Sequence, residues 1–288
     1  MTERGYVILA TNELEYKQAA ALAYCIKSKM QHESVTIAVP DMSTVNDKWL
    51  DAIDNVVELP FTVADNRRQN DWQLYWATPY KYTIAIDCKT LVKESHATLW
   101  DYLIDHYDMC IPVAQFDFRG LPIVSKFKQS INDEYPHIPV VNSDMFFFAK
   151  DTELALSYFK FADVFMQNWF DTMTHYVKNQ HYTEGYDADV MHMFVAQHFG
   201  NDIFPMHNHI MSAVNMKSVV DNRVLGRMNK WTDRINIWAS NNAKIKIQNF
   251  AINSTLHYHE DDFLTEDIFN EHRQYYKTIT KDIKTVVD

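Results

Sequence analysis

Uninterrupted apolar runs alternate with helical spacing over the first sixty positions. Tyr6-Val-Ile-Leu-Ala is apolar throughout, as expected of a strand covered on both faces. Residues 13–30 instead place Tyr16, Ala19, Ala20, Ala23, Tyr24, Ile26 and Met30 at helical intervals. Val35-Thr-Ile-Ala-Val, stopped by Pro40, predicts a second strand, residues 48–53 a second helix, and Asn55-Val-Val-Glu-Leu a third strand ending at Pro60. Strand, helix, strand, helix, strand is the order of a parallel, right-handed α/β sheet.

Beyond residue 60 the pattern loosens. Residues 61–75 predict a polar loop running into a helix through Trp72, Leu74, Tyr75 and Trp76, followed by a strand at Thr83-Ile-Ala-Ile-Asp. A helix is expected over 99–107, an extended stretch over 109–114, and irregular chain over 115–140. Val140-Val-Asn-Ser-Asp-Met-Phe-Phe-Phe is a turn followed by a strand. One long helix over 154–173, another over 186–198, an alternating strand over 245–251 and a strand edge at Thr255-Leu-His-Tyr-His complete the pattern. A terminal helix over 265–284 opens with Thr265 as its cap.

Composition narrows the class. The 288 residues are 47% hydrophobic, enough for one large α/β domain or two small ones. No run of eighteen apolar residues predicts a membrane span, and Met1-Thr-Glu-Arg-Gly lacks a secretion-signal pattern. Cys25, Cys88 and Cys110 have neither metal-ligand nor disulfide spacing, so a reducing, cytoplasmic setting is expected. A net charge of −11 disfavours general attraction to nucleic acid. Residues 217–246 are the local exception, with Lys217, Arg223, Arg227, Lys230, Arg234, Lys244 and Lys246 around Trp231 and Trp238. Bases with interleaved aromatics suit a phosphate-tracking, base-stacking surface; a solvated helix face is the plainer alternative.

The chemistry concentrates where strands end. Asp87 closes an apolar strand, and an acid there is costly unless a cation meets it. Strand tips are also where ligands of α/β sheets sit. Thr11 and Asn12 follow the first strand and suit either helix capping or contact with a ligand. Asn142, Ser143 and Asp144 form a turn, Asp187 and Asp189 stand at a helix start, and His257 and His259 share one face of a short strand.

Taken in order, these segments resemble the glycogenin-like glycosyltransferases of GT-A fold. Leu9-Ala-Thr-Asn-Glu-Leu-Glu-Tyr-Lys is similar to that family's donor-base segment, and the resemblance assigns Thr11, Asn12 and Tyr16 to the uridine. Tyr80-Lys-Tyr-Thr-Ile-Ala-Ile-Asp-Cys-Lys-Thr-Leu-Val resembles its Asp-x-Asp strand and turn, with Lys89 where the second acid belongs. An ammonium group cannot ligate a divalent cation. Either Asp87 finds other partners for the metal, or Lys89 itself neutralises the diphosphate. Val141-Asn-Ser-Asp-Met-Phe-Phe-Phe resembles the family's Asn-Ser-Gly turn, with Asp144 replacing Gly. Glu184-Gly-Tyr-Asp-Ala-Asp resembles its Asp-Gln pair, with Ala188 replacing Gln. Leu256-His-Tyr-His is similar to the segment whose His completes the metal site.

The resemblance implies a single GT-A-like domain over 1–260, a Rossmann-like mixed sheet with flanking helices, and a helical extension over 261–288 on the same domain. It implies transfer of a sugar from a UDP-sugar to an acceptor hydroxyl, with retention of configuration. Asp87, His257 and His259 would hold manganese or magnesium, while Asn142, Ser143, Lys89, Arg67 and Arg68 would contact the donor. Asp187, Asp144 and Asp189 would act near the reacting carbon. The eroded, Gly-poor, aromatic-rich sequence resembles bacteriophage enzymes that modify their own DNA. On that reading the acceptor is 5-hydroxymethylcytosine in duplex DNA, held by Lys217, Arg223, Arg227, Lys230, Trp231 and Arg234. Glycan- or protein-directed transfer, non-catalytic binding of a nucleotide sugar or nucleic acid, and nucleotidyl transfer are the competing classes. The last usually needs a Gly-rich loop that Ala10-Thr-Asn-Glu-Leu lacks.

Overall fold

A computed structural model describes residues 2–61, 67–176, 188–207, 210, 211, 213–216, 235–240 and 242–287. Its main sheet has six strands: β1 (Thr2–Leu9), β2 (Ser34–Val39), β3 (Asn55–Glu58), β4 (Tyr80–Ile86), β6 (Met109–Cys110) and β9 (Met145–Ala149), in the order β3-β2-β1-β4-β9-β6. The first four run parallel, whereas β9 is antiparallel to both β4 and β6. The expected mixed α/β sheet is therefore present, and its reversal at β9 matters for the site.

Alternate residues of β1 explain its uninterrupted apolar run. Tyr6 and Ile8 face one core, with α1 (Glu13–Lys29), while Val7 and Leu9 face the other, with α5 (Glu153–Gln167) and α7 (Ala188–Ala196). Both faces are covered, so no polar residue is required in alternation. Gly5 is fixed by packing: a Cβ there would lie 2.4 Å from the ring of Tyr80, which is fully buried. The Tyr80 hydroxyl reaches Thr36 at 2.6 Å and ties β4 to β2.

A second sheet assembles at the edge from distant pieces, in the order β5 (Thr90–Leu91), β14 (Leu256–His257), β10 (Val214–Asn215), β7 (Gln115–Asp117), β8 (Pro122–Ile123). A third is a meander of β11 (Ile237–Ser240), β12 (Lys244–Ile247) and β13 (Phe250–Ile252). The long helix α8 (Glu266–Val287) lies along α1. Tyr24 touches Phe269 and Tyr276, and Arg273 donates to Asp51 at 2.9 Å. No described helix is long and apolar enough to cross a membrane.

Several elements differ from expectation. Residues 48–53 give only a 3₁₀ turn, Asp47–Trp49, capped at its start by Asn46, whose side chain accepts from Lys48 N–H. The stretch 115–140 is not irregular: it contains β7, β8 and α4 (Lys126–Glu134), whose N-cap is Ser125. The long helix over 154–173 is two, α5 and α6 (Trp169–Tyr176), broken at Asn168, whose side chain donates to Val164 C=O at 2.8 Å. The alternation over 245–251 is a hairpin, turned at Gln248 with φ +54°. Pro112 soon follows the two residues of β6, where a longer extended stretch was expected.

Candidate metal and donor site

The reversal at β9 builds the site. β4 ends at Ile86, paired with Met145 at the start of β9. The next residue outward on each strand is an acid, Asp87 on one and Asp144 on the other, and Asp87 N–H donates to Asp144 C=O at 2.8 Å. β14 reaches the same rim through β5, with His257 opposite Thr90. One nitrogen of His257 and one oxygen each of Asp87 and Asp144 all lie within 4.8 Å of one another. The three residues are 2%, 8% and 3% exposed, so two carboxylates converge in a nearly dry place, where unpaired charge is expensive.

The contacts within the triad fit a cation. His257 Nδ1 lies 2.9 Å from Asp144 Oδ2, and Nε2 lies 3.9 Å from Asp87 Oδ1. The short contact is out of line for an N–H···O bond, which leaves the buried Nδ1 without a hydrogen-bond partner. Burial opposes charge on the ring, but Asp144 first and then Asp87 outweigh it and raise the His257 pKa to about 9. Two carboxylate oxygens and an imidazole nitrogen are ligands that manganese or magnesium accepts.

Around the triad the carboxylates are oriented from outside. Gln115 donates to Asp144 Oδ2 at 2.7 Å, and Lys89 N–H donates to Asp87 Oδ1 at 2.7 Å. The side chain of Lys89 is engaged elsewhere, with its ammonium 2.6 Å from Asp261 and 3.2 Å from His259 C=O. His259 is not in the triad. Its ring meets that of His257 edge-on at 4.6 Å between centroids and bonds to Asn215.

Asp189, at the start of α7, acts one layer behind. Its Oδ1 accepts from Ser143 N–H at 2.7 Å and from Ser143 Oγ at 2.6 Å, and its Oδ2 meets Lys128 Nζ at 2.6 Å. Asn142 accepts from Asp144 N–H at 3.1 Å. The turn before β9 is thus clamped on both sides, which fixes where Asp144 emerges.

The parallel pairing of β1 with β4 puts the end of β1 on the same rim. Asn12 is the N-cap of α1, accepting from Glu15 N–H at 3.1 Å, and Thr11 donates through both N–H and Oγ to Glu15. Tyr16 is buried, with its hydroxyl 2.7 Å from Thr44 Oγ. Arg67 and Arg68 open the 3₁₀ segment Arg67–Gln73, where their backbone alone is described. Asp187, Lys217, Arg223, Arg227, Lys230, Trp231 and Arg234 lie outside the described residues. Of the basic stretch, Trp238, Lys244 and Lys246 are described, on the meander, with Trp238 paired across to Lys246.

Sequence patterns missed four participants. Gln115 and Lys128 lie in the stretch expected to be irregular, and Asn215 lies in a two-residue strand with no pattern of its own. Asp71, in the 3₁₀ segment, lines a small cavity with Asp87 and Ser143. Lys128 is buried on a Ser-capped helix, a burial that the sequence did not mark.

Known structures share this fold. A galactosyltransferase, LgtC, solved with donor and acceptor sugar analogs, matches with a TM-score of 0.50 at 11% identity, over 95% of this chain and 95% of that one. The glycosyltransferase GlyE of Streptococcus pneumoniae TIGR4, in its apo form, matches with a TM-score of 0.54 at 9% identity, over 100% of this chain and 64% of that one. This chain has the GT-A glycosyltransferase fold. No protein-family model and no curated protein matches the sequence.

Proposed function

We propose that this chain is a GT-A glycosyltransferase that moves a sugar from a UDP-sugar to an acceptor hydroxyl with retention of configuration. The observation that carries the reading is the convergence of Asp87, Asp144 and His257 on the rim where β4 ends and β9 begins. These three side chains would hold a divalent cation, manganese or magnesium. Bound there, the cation would neutralise charge developing on the leaving diphosphate. Asp144 thereby takes the ligand role that the family pattern gives to the position of Lys89, and the orienting role first expected of Asp144 falls to other groups.

The remaining roles follow from position. Thr11, Asn12 and Tyr16, at the end of β1 and the start of α1, would receive the uridine. Arg67, Arg68, Asn142 and Ser143 would contact the donor. Asp187 would stand near the reacting carbon. Asp189 is a positioning residue, since its oxygens hold Ser143 and Lys128. Lys89 pairs with Asp261 and fastens the turn after β4 to the segment preceding α8. His259 orients the His257 ring rather than adding a ligand. On this reading residues 1–260 are the transferase domain and 261–288 its helical extension.

For the acceptor we propose hydroxymethylated duplex DNA, as in a phage enzyme. Trp238 and Lys246 on the meander support it: the tryptophan is 51% exposed and the lysine faces outward. The test is incubation with labelled UDP-sugars and Mn²⁺, with hydroxymethylated DNA, plain DNA, a glycan mixture or no acceptor. Label transferred to hydroxymethylated DNA alone supports the whole reading. Transfer to glycans overturns the DNA acceptor. UDP-sugar binding without turnover in every arm overturns catalysis and leaves a binding protein.

A further inference from the structure

We infer that the protein carries a second anion site, remote from the Asp87–Asp144–His257 rim, that takes a phosphorylated small molecule. It is a cavity of about 380 Å³ between the last turn of α1, the segment after β5, the β11–β12 turn and α8. That size suits a phosphorylated small metabolite. α1 begins on the rim and spans 17 residues, so its last turn is ~24 Å from the rim along the helix axis. No residue of the triad lines the cavity.

Its lining is cationic and polar. Lys29, Lys93 and Lys244 reach it from three different elements, together with His272 and Ser28, and none of its described lining residues is an acid. In a chain with 38 acidic and 27 basic residues, three lysines at one cavity without a carboxylate go against composition. The Lys93 ammonium is drawn inward, donating to Ala243 C=O at 2.8 Å and meeting His272 Nε2. Burial, with Lys29 nearby, pulls its pKa down to about 8. Burial first and then the same lysines hold His272 neutral, with a pKa of about 3.

A second observation is independent of the lysines. Ser28 is among the lining residues, and its hydroxyl is shut off from solvent without a hydrogen-bond partner. Buried hydroxyls are ordinarily satisfied, and an oxyanion would satisfy this one once the side chain turned toward the cavity. Lys29 stands over the Tyr275 ring at 5.6 Å, at the same wall. Lysines contributed by three different elements suit the spread charge of a phosphate. An anion would also offset the mutual repulsion of the lysines.

The site does not depend on sugar transfer, and its test keeps the two apart. Pyrophosphate is titrated calorimetrically in EDTA against wild type, Asp144→Asn, Lys93→Met, Lys29→Met and Lys244→Met, with chloride at matched ionic strength as reference. Binding is expected in wild type and unchanged in Asp144→Asn. Each lysine variant should bind roughly 10-fold more weakly, the effect of losing one charge-assisted hydrogen bond. Lys29 and Lys244 are exposed, so their variants remain informative should Lys93→Met fail to fold. No heat beyond that of chloride, or binding lost in Asp144→Asn and retained in both exposed-lysine variants, would overturn the assignment.

Discussion

Asp144 Oδ2 sits 2.9 Å from His257 Nδ1, although Asp144 leads into the main sheet and His257 belongs to the edge sheet. The contact places an acid from the turn before β9 where the sequence pattern expected one after β4. Lys89, the residue at that expected position, turns instead to Asp261.

Cation binding should follow this geometry. Asp87→Asn, Asp144→Asn and His257→Ala are each expected to weaken Mn²⁺ binding at least about 10-fold, as even outer partners of metal ligands do when lost. Lys89→Met should leave it unchanged. Electron paramagnetic resonance of free Mn²⁺ reads both, and full affinity in Asp144→Asn would remove that residue from the site.

The pair behind the site should be structural. Lys128 and Asp189 are 7% and 10% exposed at the side chain and 2.6 Å apart. Breaking such a pair costs about 3–5 kcal/mol, because the remaining charge is stranded. Asp189→Asn should shift the urea midpoint down accordingly. A variant as stable as wild type would show that Lys128 finds another partner.

Gly5 should tolerate no side chain. Gly5→Ala drives a methyl group into the Tyr80 ring between β1 and β4 and is expected to cost about 1–3 kcal/mol. Pairing it with Tyr80→Leu should recover part of the loss, although the Thr36 bond goes with the ring. Thermal melts of the single and double variants give the comparison, and an unaltered melting temperature in Gly5→Ala would contradict the packing.

Acid should loosen the fold through His96. Trp100 N–H donates to the Tyr6 hydroxyl at 3.1 Å, and that hydroxyl lies 3.0 Å from His96 Nδ1. With Tyr6 donating in turn, Nδ1 accepts and Nε2–H donates to Thr255 Oγ at 2.9 Å, so the ring is neutral. Burial lowers the His96 pKa to about 4 from the ordinary 6.5. A depressed folded-state value means the stability is complete above pH 6.5 and is lost as pH falls toward 4, by about 3 kcal/mol. His96→Gln should flatten that part of the stability profile. An unchanged slope would assign the acid sensitivity to other groups, His272 first among them.

The main sheet was legible because burial on both faces leaves a pattern in the sequence. β1, β2 and β4 are apolar runs, and the small residues of α1 let it lie close on them. The edge sheet left less of a trace: the strand edge at 255–259, which holds β14, was expected, whereas β5 and β10 are two residues each and exist through pairing with distant partners. The site was half legible for the same reason. Asp87 and His257 stood out as polar groups closing apolar strands. Asp144 carried an ordinary turn signal, and its partnership with Asp87 depends on the direction of β9, which spacing along one chain does not encode.

Running β9 against β4 has a consequence for such sites. The rim then offers two berths for an acid, one just after a strand and one just before its neighbour, within reach of the same imidazole. Both berths are filled here, by Asp87 and Asp144, so the rim holds two carboxylates without one at position 89. Chains of this architecture should therefore be judged by what the berths hold between them, since a familiar pair of acids can be broken in the alphabet and intact in space.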